Sequence, residues 1–384
     1  MRETEIIRKL LEIYSKTPKH DDGYILGSMT TRPDNIAVYA YNLFIHTNAG
    51  DTKIFPAIEY FSEEIIGFMS KLYGRCTGFV TSGGTESNII ALYVAREKTR
   101  RKLVIAPETV HHSVIWAAHL LGMEIRRVPV NDDHVADVRL VNEIVKNKKD
   151  EIAAIVLTAG TTEWGTIDPI EEVADIARRY DIYLHIDAAY GGLFIPPLYR
   201  KGYIKTNLKF FDGVSSISVD FHKNGLSPIP SGLILFRDEE LLSYARRELP
   251  YTLGKYQYGL LGTRPGGSVA AVWAVIKKHG LEGYSIIAEK CLDTALYLYE
   301  KLSKINNVIV WKPVLPIVVF KHKTIDSWDL LDSLISYGYY IYRAPSIDGL
   351  RIVAMPHVTK EHIDRFIEIF MKILKEKAEQ NNKG

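Results

Sequence analysis

The chain has 384 residues, with 48 Lys and Arg against 46 Asp and Glu, a net charge of +2 and 47% hydrophobic residues. The charge balance excludes a nucleic-acid binder working through bulk electrostatics, and the apolar content excludes a disordered chain. Two cysteines far apart in sequence, Cys76 and Cys291, exclude a disulfide framework and a four-cysteine zinc site, and no metal is expected.

The first 50 residues read as helical, interrupted by the Gly/Pro-rich stretch GYILGSMTTRPDN. They cannot build a core alone and are expected to lie on the rest of the chain or on a second subunit. The opening MRETEIIRKLLEIYSK is amphipathic but charged throughout, unlike a secretory signal. No window approaches the roughly 20 apolar residues of a membrane span, so a cytoplasmic location with no membrane partner is expected.

From about Cys76 to Phe236, short apolar runs alternate with helical stretches. The runs TGFVT, KLVIA, EIRRVPV, IAAIVLT, IYLHID, GVSSISV and GLILF read as strands, with helices such as ESNIIALYVAREKTR, HSVIWAAHLLG and PIEEVADIARRY between them. Apolar runs without strict alternation suit strands covered on both faces. The repetition predicts an α/β fold with a mostly parallel seven-stranded sheet and helices on both faces. From Gly262 the pattern changes: GTRPGGSVAAVWAVIKKHG reads as a Gly/Pro-broken entry into a helix, followed by a long helix from about Gly283 to Lys304, strands near VIVWK and PIVVFK, a helix near SWDLLDSLISYG, a strand LRIVAM and a last helix, with a polar tail KEKAEQNNKG. The expected division is an N-terminal helical segment 1–50, a large domain 51–280 and a small C-terminal α/β domain 281–384.

Four segments carry chemistry. In TSGGTESN, Thr81 to Asn88, two glycines follow a strand and open a helix, which suits a phosphate cradle or simply a helix start with Glu86 as its capping acid. In HIDAAYGG, Asp187 falls at a strand's C-terminal end, where ligands of open α/β sheets bind, and small alanines follow it. A buried carboxylate there needs a partner, such as a protonated pyridine nitrogen, or caps a turn. In SVDFHKNGLSPIPSG, Lys223 follows a strand, where a lysine can form a Schiff base, and His222 beside it can contact phosphate. In TVHHSVIWAA, His111 can stack on a flat ring and handle protons, although paired histidines are commonly caps.

Phosphate loop, stacking histidine, pyridinium-pairing acid and Schiff-base lysine, in that chain order, form the set of contacts that pyridoxal 5′-phosphate requires. At these motifs, together with ILGSMTT, HTNAGD, TAGTTEWGTIDPI, GTRPGG and LRIVAMPHVT, the chain resembles the group II pyridoxal-phosphate-dependent amino-acid decarboxylases of fold type I, in particular those of the archaeal L-aspartate/L-tyrosine type. GTRPGG and SGGTES are also similar to sphingosine-phosphate lyase. The resemblance implies that Lys223 holds the cofactor, Asp187 pairs with its ring nitrogen, and Ala189 and His111 lie on opposite ring faces. It implies that Gly84 and Thr85 bind phosphate, that Ser82 and Gly83 shape that loop, and that His222 contacts the phosphate. Thr162 is expected near the ring hydroxyl, and Thr263 and Arg264 at a neighbouring subunit's phosphate in a homodimer with shared sites. Trp116 and Phe221 stand where relatives often carry Lys and Pro.

The implied reaction is α-decarboxylation of an L-amino acid: aspartate to β-alanine for coenzyme A, tyrosine to tyramine, or both, with glutamate behind them. Arg351 is the expected site of a substrate acid group. Arg32 or Arg343 would supply a second arginine for aspartate. In YTLGKYQYG, Tyr251, Tyr256 and Tyr258 are candidates for protonating the product, with Tyr258 also placed at the substrate. The alternatives are a carbon–carbon lyase acting on a phosphorylated amino alcohol and, last, a non-catalytic protein that binds the cofactor.

Overall fold

The computed structural model describes residues 1–251, 253–254 and 256–381, the last two of these by backbone alone. The end of the polar tail, and Thr252 and Lys255 of the tyrosine-rich segment, lie outside the described residues.

Seven strands form the main sheet: β1 (Thr77–Thr81), β2 (Leu103–Pro107), β3 (Glu124–Val128), β4 (Ile152–Thr158), β5 (Tyr183–Asp187), β6 (Val214–Asp220) and β7 (Gly232–Phe236). Their order is β1-β7-β6-β5-β4-β2-β3, with β7 antiparallel to both neighbours and the remaining pairs parallel. Strands β2, β4, β5, β6 and β7 are buried throughout, the reason they read as unbroken apolar runs. Edge strand β3 exposes Glu124, Arg126 and Arg127, charges that discourage pairing with another chain.

The helices before and among these strands are α1 (Glu3–Ser15), α2 (Asn35–Leu43), α3 (Pro56–Tyr73), α4 (Gly84–Thr99), α5 (His112–Leu120), α6 (Val138–Lys148), α7 (Ile170–Tyr180), α8 (Ile195–Arg200) and α9 (Glu239–Tyr244). One face of the sheet joins α3, α7 and α8 in a core that includes Ile105, Leu157 and Ile186; the other joins α4, α5 and α9 in a core with Ala154, Val156 and Tyr183. Because side chains alternate along a strand, His185 and Asp187 project to the same side as Tyr183, toward α4. Helix α1 buries none of its residues and exposes Ile6, Ile7, Leu10, Leu11, Ile13 and Tyr14.

Two features depart from the sequence reading. Part of the tyrosine-rich segment is a hairpin: β9 (Tyr256–Tyr258) pairs antiparallel with β8 (Arg246–Glu248). The helix entry after GTRPGG and the long helix that follows form one element, α10 (Gly266–Leu302), broken at Gly280, where φ is 56° and ψ −166°. Beyond it, β10 (Val308–Val310), β11 (Ile317–His322), β12 (Tyr342–Ala344) and β13 (Gly349–Val353) form an antiparallel sheet in the order β10-β11-β13-β12. Helices α11 (Ser327–Ser336) and α12 (Lys360–Asn381), with the end of α10, cover it through Leu298, Leu334, Phe366 and Phe370. The segment around Leu26 is stitched to this sheet: Leu26 and Gly27 N–H donate to Tyr340 O, and Val353 N–H donates to Leu26 O. That tie carries Met29 to the C-terminal edge of the main sheet.

Candidate active site

A cavity of about 300 Å³ opens where β1, β2, β4, β5 and β6 end, the edge where parallel α/β sheets bind ligands. Its walls include Ser82, Gly83, Gly84 and Thr85 after β1, His111 after β2, Thr158 and Thr162 at the end of β4, Asp187 and Ala189 at β5, and Asp220, His222 and Lys223 at β6.

The β1–α4 turn is built for close approach. Gly83 has φ 147°, and a Cβ there would come within 2.8 Å of His222 Cε1; a Cβ on Gly84 would come within 2.9 Å of the Ala189 methyl. Helix α4 has no side-chain cap on Gly83, so its N-terminal donors face the cavity end. Glu86 turns back instead, its Oε2 accepting from Ser82 N–H at 2.7 Å and its Oε1 from Leu260 N–H at 3.1 Å.

Asp187 is buried. Its Oδ1 accepts from Ala189 N–H at 3.1 Å and lies 3.4 Å from Ser218 Oγ, whose single proton is shared with Asn88 Oδ1 at 3.3 Å, and its Oδ2 accepts from Asn88 Nδ2 at 2.8 Å. All three donors are neutral, and one of a carboxylate's roughly four acceptor positions is left over. Asp220, at the end of the next strand, instead meets cations: Lys223 Nζ lies 3.0 Å and His222 Nε2 3.4 Å from its Oδ2. Burial alone would push Asp220 up, but the Lys223 ammonium and His222 overturn that and bring it down to about 2. His111 is the N-cap of α5, its Nδ1 accepting from Ser113 N–H at 3.2 Å.

The cavity gathers Ser82, Gly83, Gly84, Thr85, His111, Thr162, Asp187, Ala189, His222 and Lys223. Four of the other expected residues do not line it. Arg264 is buried beside Phe79 and donates to Val80 O at 2.8 Å and Ala49 O at 3.3 Å, and Thr263 before it is exposed. Tyr258 stacks on Phe79 at 5.6 Å. Arg351 is buried; its guanidinium lies 5.3 Å over the Tyr342 ring, and that side chain's one hydrogen bond among the described residues is a long 3.5 Å contact to Gly27 O. The second-arginine candidates are engaged elsewhere: Arg32 pairs with Asp21, and Arg343 with Asp348. Sequence reading missed Asn88, Asp220, Tyr190 and Met29 as cavity residues. Asp220 carried the same signal as Asp187, a carboxylate ending an apolar strand; Asn88 closes the TSGGTESN motif, but nothing local marked a role of its own.

Residues 61–323 match the family model described as the pyridoxal-dependent decarboxylase conserved domain. The chain belongs to that family. It is 39% identical over 373 residues to a probable L-tyrosine/L-aspartate decarboxylase of Methanosphaera stadtmanae, covering 94% of this chain and 95% of the relative. It is 37% identical to an L-aspartate/L-glutamate decarboxylase of Pyrococcus horikoshii, covering 95% and 97%. Among solved structures, a sphingosine-1-phosphate lyase of Burkholderia pseudomallei superposes with a TM-score of 0.88 at 25% identity, covering 100% of this chain and 93% of that one. The protein is a pyridoxal-phosphate-dependent amino-acid decarboxylase, and its cavity fits the cofactor. The glycine turn is a cradle that any Cβ would fill. Asp187 has neutral donors and no ion-pair partner among the described residues, which suits a protonated ring nitrogen.

Proposed function

We propose that the enzyme removes the α-carboxylate of L-aspartate to give β-alanine, and acts on L-tyrosine to give tyramine as its second substrate. Aspartate is the substrate common to the names of the relatives above. β-Alanine would feed coenzyme A synthesis in the cytoplasm. What carries the reading is a single cavity in which an amine, a carboxylate with only neutral donors, a histidine and a glycine turn meet.

When bound, the cofactor supplies a sink for the electron pair released as CO2 leaves. Lys223 would hold its aldehyde carbon and yield it to the substrate amine. Asp187 would keep the ring nitrogen protonated. Ala189 and His111 would hold the ring between them, which sets the angle of the bond to be broken. Ser82, Gly83, Gly84, Thr85 and His222 would grip the phosphate, and Thr162 the ring hydroxyl. Arg351, beside cavity residue Tyr190, would bind a substrate carboxylate, and its fork is short of partners.

Homodimerisation completes the proposal. The unburied apolar side of α1 supports it. Thr263, Arg264 and the Tyr251, Tyr256 and Tyr258 group would then serve the neighbouring cavity, with Tyr258 or a companion protonating the product. The division at residues 50 and 280 belongs to the same reading.

The test is incubation of cofactor-loaded protein with aspartate, tyrosine, glutamate and a phosphorylated amino alcohol, each followed by product identification. β-Alanine and CO2 from aspartate support the proposal. Aldehyde from the amino alcohol, with no CO2 from any amino acid, would make the enzyme a carbon–carbon lyase.

A further inference from the structure

Behind Asp187 lies a row of buried polar side chains that the reaction scheme does not use. Tyr183 OH donates to Ser216 Oγ at 2.8 Å, Ser216 Oγ lies 2.8 Å from His185 Nδ1, His185 Nε2 lies 2.9 Å from Asn88 Oδ1, and Asn88 Nδ2 donates to Asp187 Oδ2 at 2.8 Å. All are 4% exposed or less. Such a polar row in a sheet core is costly unless every member is satisfied, and satisfying all of them fixes its direction. The Asn88 oxygen can only accept, so His185 must carry its proton on Nε2. Nδ1 must then accept from Ser216, whose own oxygen accepts from Tyr183. Every hydrogen bond therefore donates toward Asp187. Burial holds His185 well below the usual histidine range, so the ring stays neutral and this tautomer persists at neutral pH.

Asn88 also has a second arm. Its Nδ2 donates to Ser113 Oγ at 2.8 Å, and Ser113 Oγ lies 2.8 Å from His111 Nδ1. Since His111 Nδ1 already accepts from Ser113 N–H, it must also accept from the hydroxyl. His111 then carries its proton on Nε2. One amide thus feeds the acid at the cavity floor and the histidine at its wall.

We propose that Asn88 and His185 are positioning residues: a one-way hydrogen-bond row ending at Asn88 sets the charge and orientation of Asp187 toward the cofactor's ring nitrogen, and the same amide, through Ser113, fixes the tautomer of His111. This rests on the assignment of Asp187 to the ring nitrogen, and the test separates the two.

Asn88→Leu, His185→Leu, His185→Gln, Ser216→Ala and Asp187→Asn are each loaded with pyridoxal phosphate labelled with ¹⁵N in the ring, and the ring-nitrogen shift is read without substrate. A glutamine at 185 can still donate to Asn88 and accept from Ser216. Asn88→Leu and His185→Leu should move the shift toward that of an unprotonated pyridine, His185→Gln should stay at the wild-type value, and Ser216→Ala should move partway. For the two leucine variants kcat should fall about tenfold to a hundredfold, the range for losing a hydrogen bond to a charged group, while KM changes less than about threefold. In the cofactor-free protein, imidazole ¹⁵N shifts should place the His111 proton on Nε2, and Asn88→Leu and Ser113→Ala should each give a tautomer mixture. If Asp187→Asn moves the ring shift and none of the row variants does, the row has no part in positioning and the inference is overturned. If Asp187→Asn itself leaves the shift unmoved, the assignment of Asp187 fails and takes the inference with it. Should a leucine variant not fold, the contrast between Ser216→Ala and His185→Gln decides: equal wild-type shifts overturn the row.

Discussion

Strands β5 and β6 lie side by side, and each ends in a buried aspartate at the same cavity, yet the two ends are built oppositely. Asp187 on β5 is held by a backbone N–H, a hydroxyl and an amide, all neutral. Asp220 on β6 sits against an ammonium and an imidazole. Neutral donors leave a carboxylate's charge available to a ligand, whereas cationic partners neutralise it within the protein. The floor at β5 is therefore ready for a cationic ring edge, and the wall at β6 holds its own lysine in place.

The sharpest way to break this contrast is at the lysine. Lys223→Ala should cut decarboxylation by roughly 10³-fold or more, the scale of losing a covalent catalytic group, and should abolish the visible imine absorbance of the loaded protein. A variant that retains that absorbance would remove β6 from the chemistry. Next is the floor: Asp187→Asn keeps the shape and removes the charge, and should lower kcat by about 10²- to 10⁴-fold, the range for a proton-handling group, with apolar packing and melting temperature little changed. Near-normal turnover would mean that charge at β5 is not needed.

A third carboxylate sharpens what neutral donors alone can do. Asp168 is fully buried and accepts from Thr158 N–H at 2.7 Å and Ala136 N–H at 2.9 Å, bracing the turn that carries Thr162. Burial pushes it up to about 6, against the pull of those two donors. The folded state therefore binds a proton that the unfolded chain has released, and stability falls as pH rises from about 4 through about 6, by roughly 3 kcal/mol at most. Asp168→Asn should remove that decline. Denaturant midpoints at a series of pH values would check it, and parallel curves for the two proteins would refute it.

Much of this was legible in sequence because burial on both sheet faces leaves unbroken apolar runs, and because strand ends announce themselves by a polar residue after such a run. Lys223, Asp187 and His111 were found in that way, although their roles came from resemblance. The hairpin of β8 and β9 was not found because each strand has only three residues, too few to show a period, and RRE is wholly charged. Asn88 was seen only as the end of the glycine motif; its role was hidden because its partners Asp187 and His185 lie about a hundred residues away, and no local period encodes them. Arg32 and Arg343 failed as pocket arginines because nearby acids in the fold engage them first.

The smallest effect lies at Asp220, and it addresses the contrast most directly. Its folded value of about 2 lies below the ordinary 3.8, so the folded state favours the ionised form more than the unfolded chain does. The resulting stability is complete above about pH 4 and is lost as pH falls through about 2, a contribution of about 2 kcal/mol. Asp220→Asn should erase this acid step while leaving the decline due to Asp168 between about pH 4 and 6 untouched. The measurement belongs on cofactor-free protein, where Lys223 is a free ammonium. There, melting temperature between pH 2 and 5 should fall less steeply for the variant than for the wild type. If both fall in parallel, Lys223 and Asp220 do not form a working ion pair in solution, and the two strand ends are alike after all.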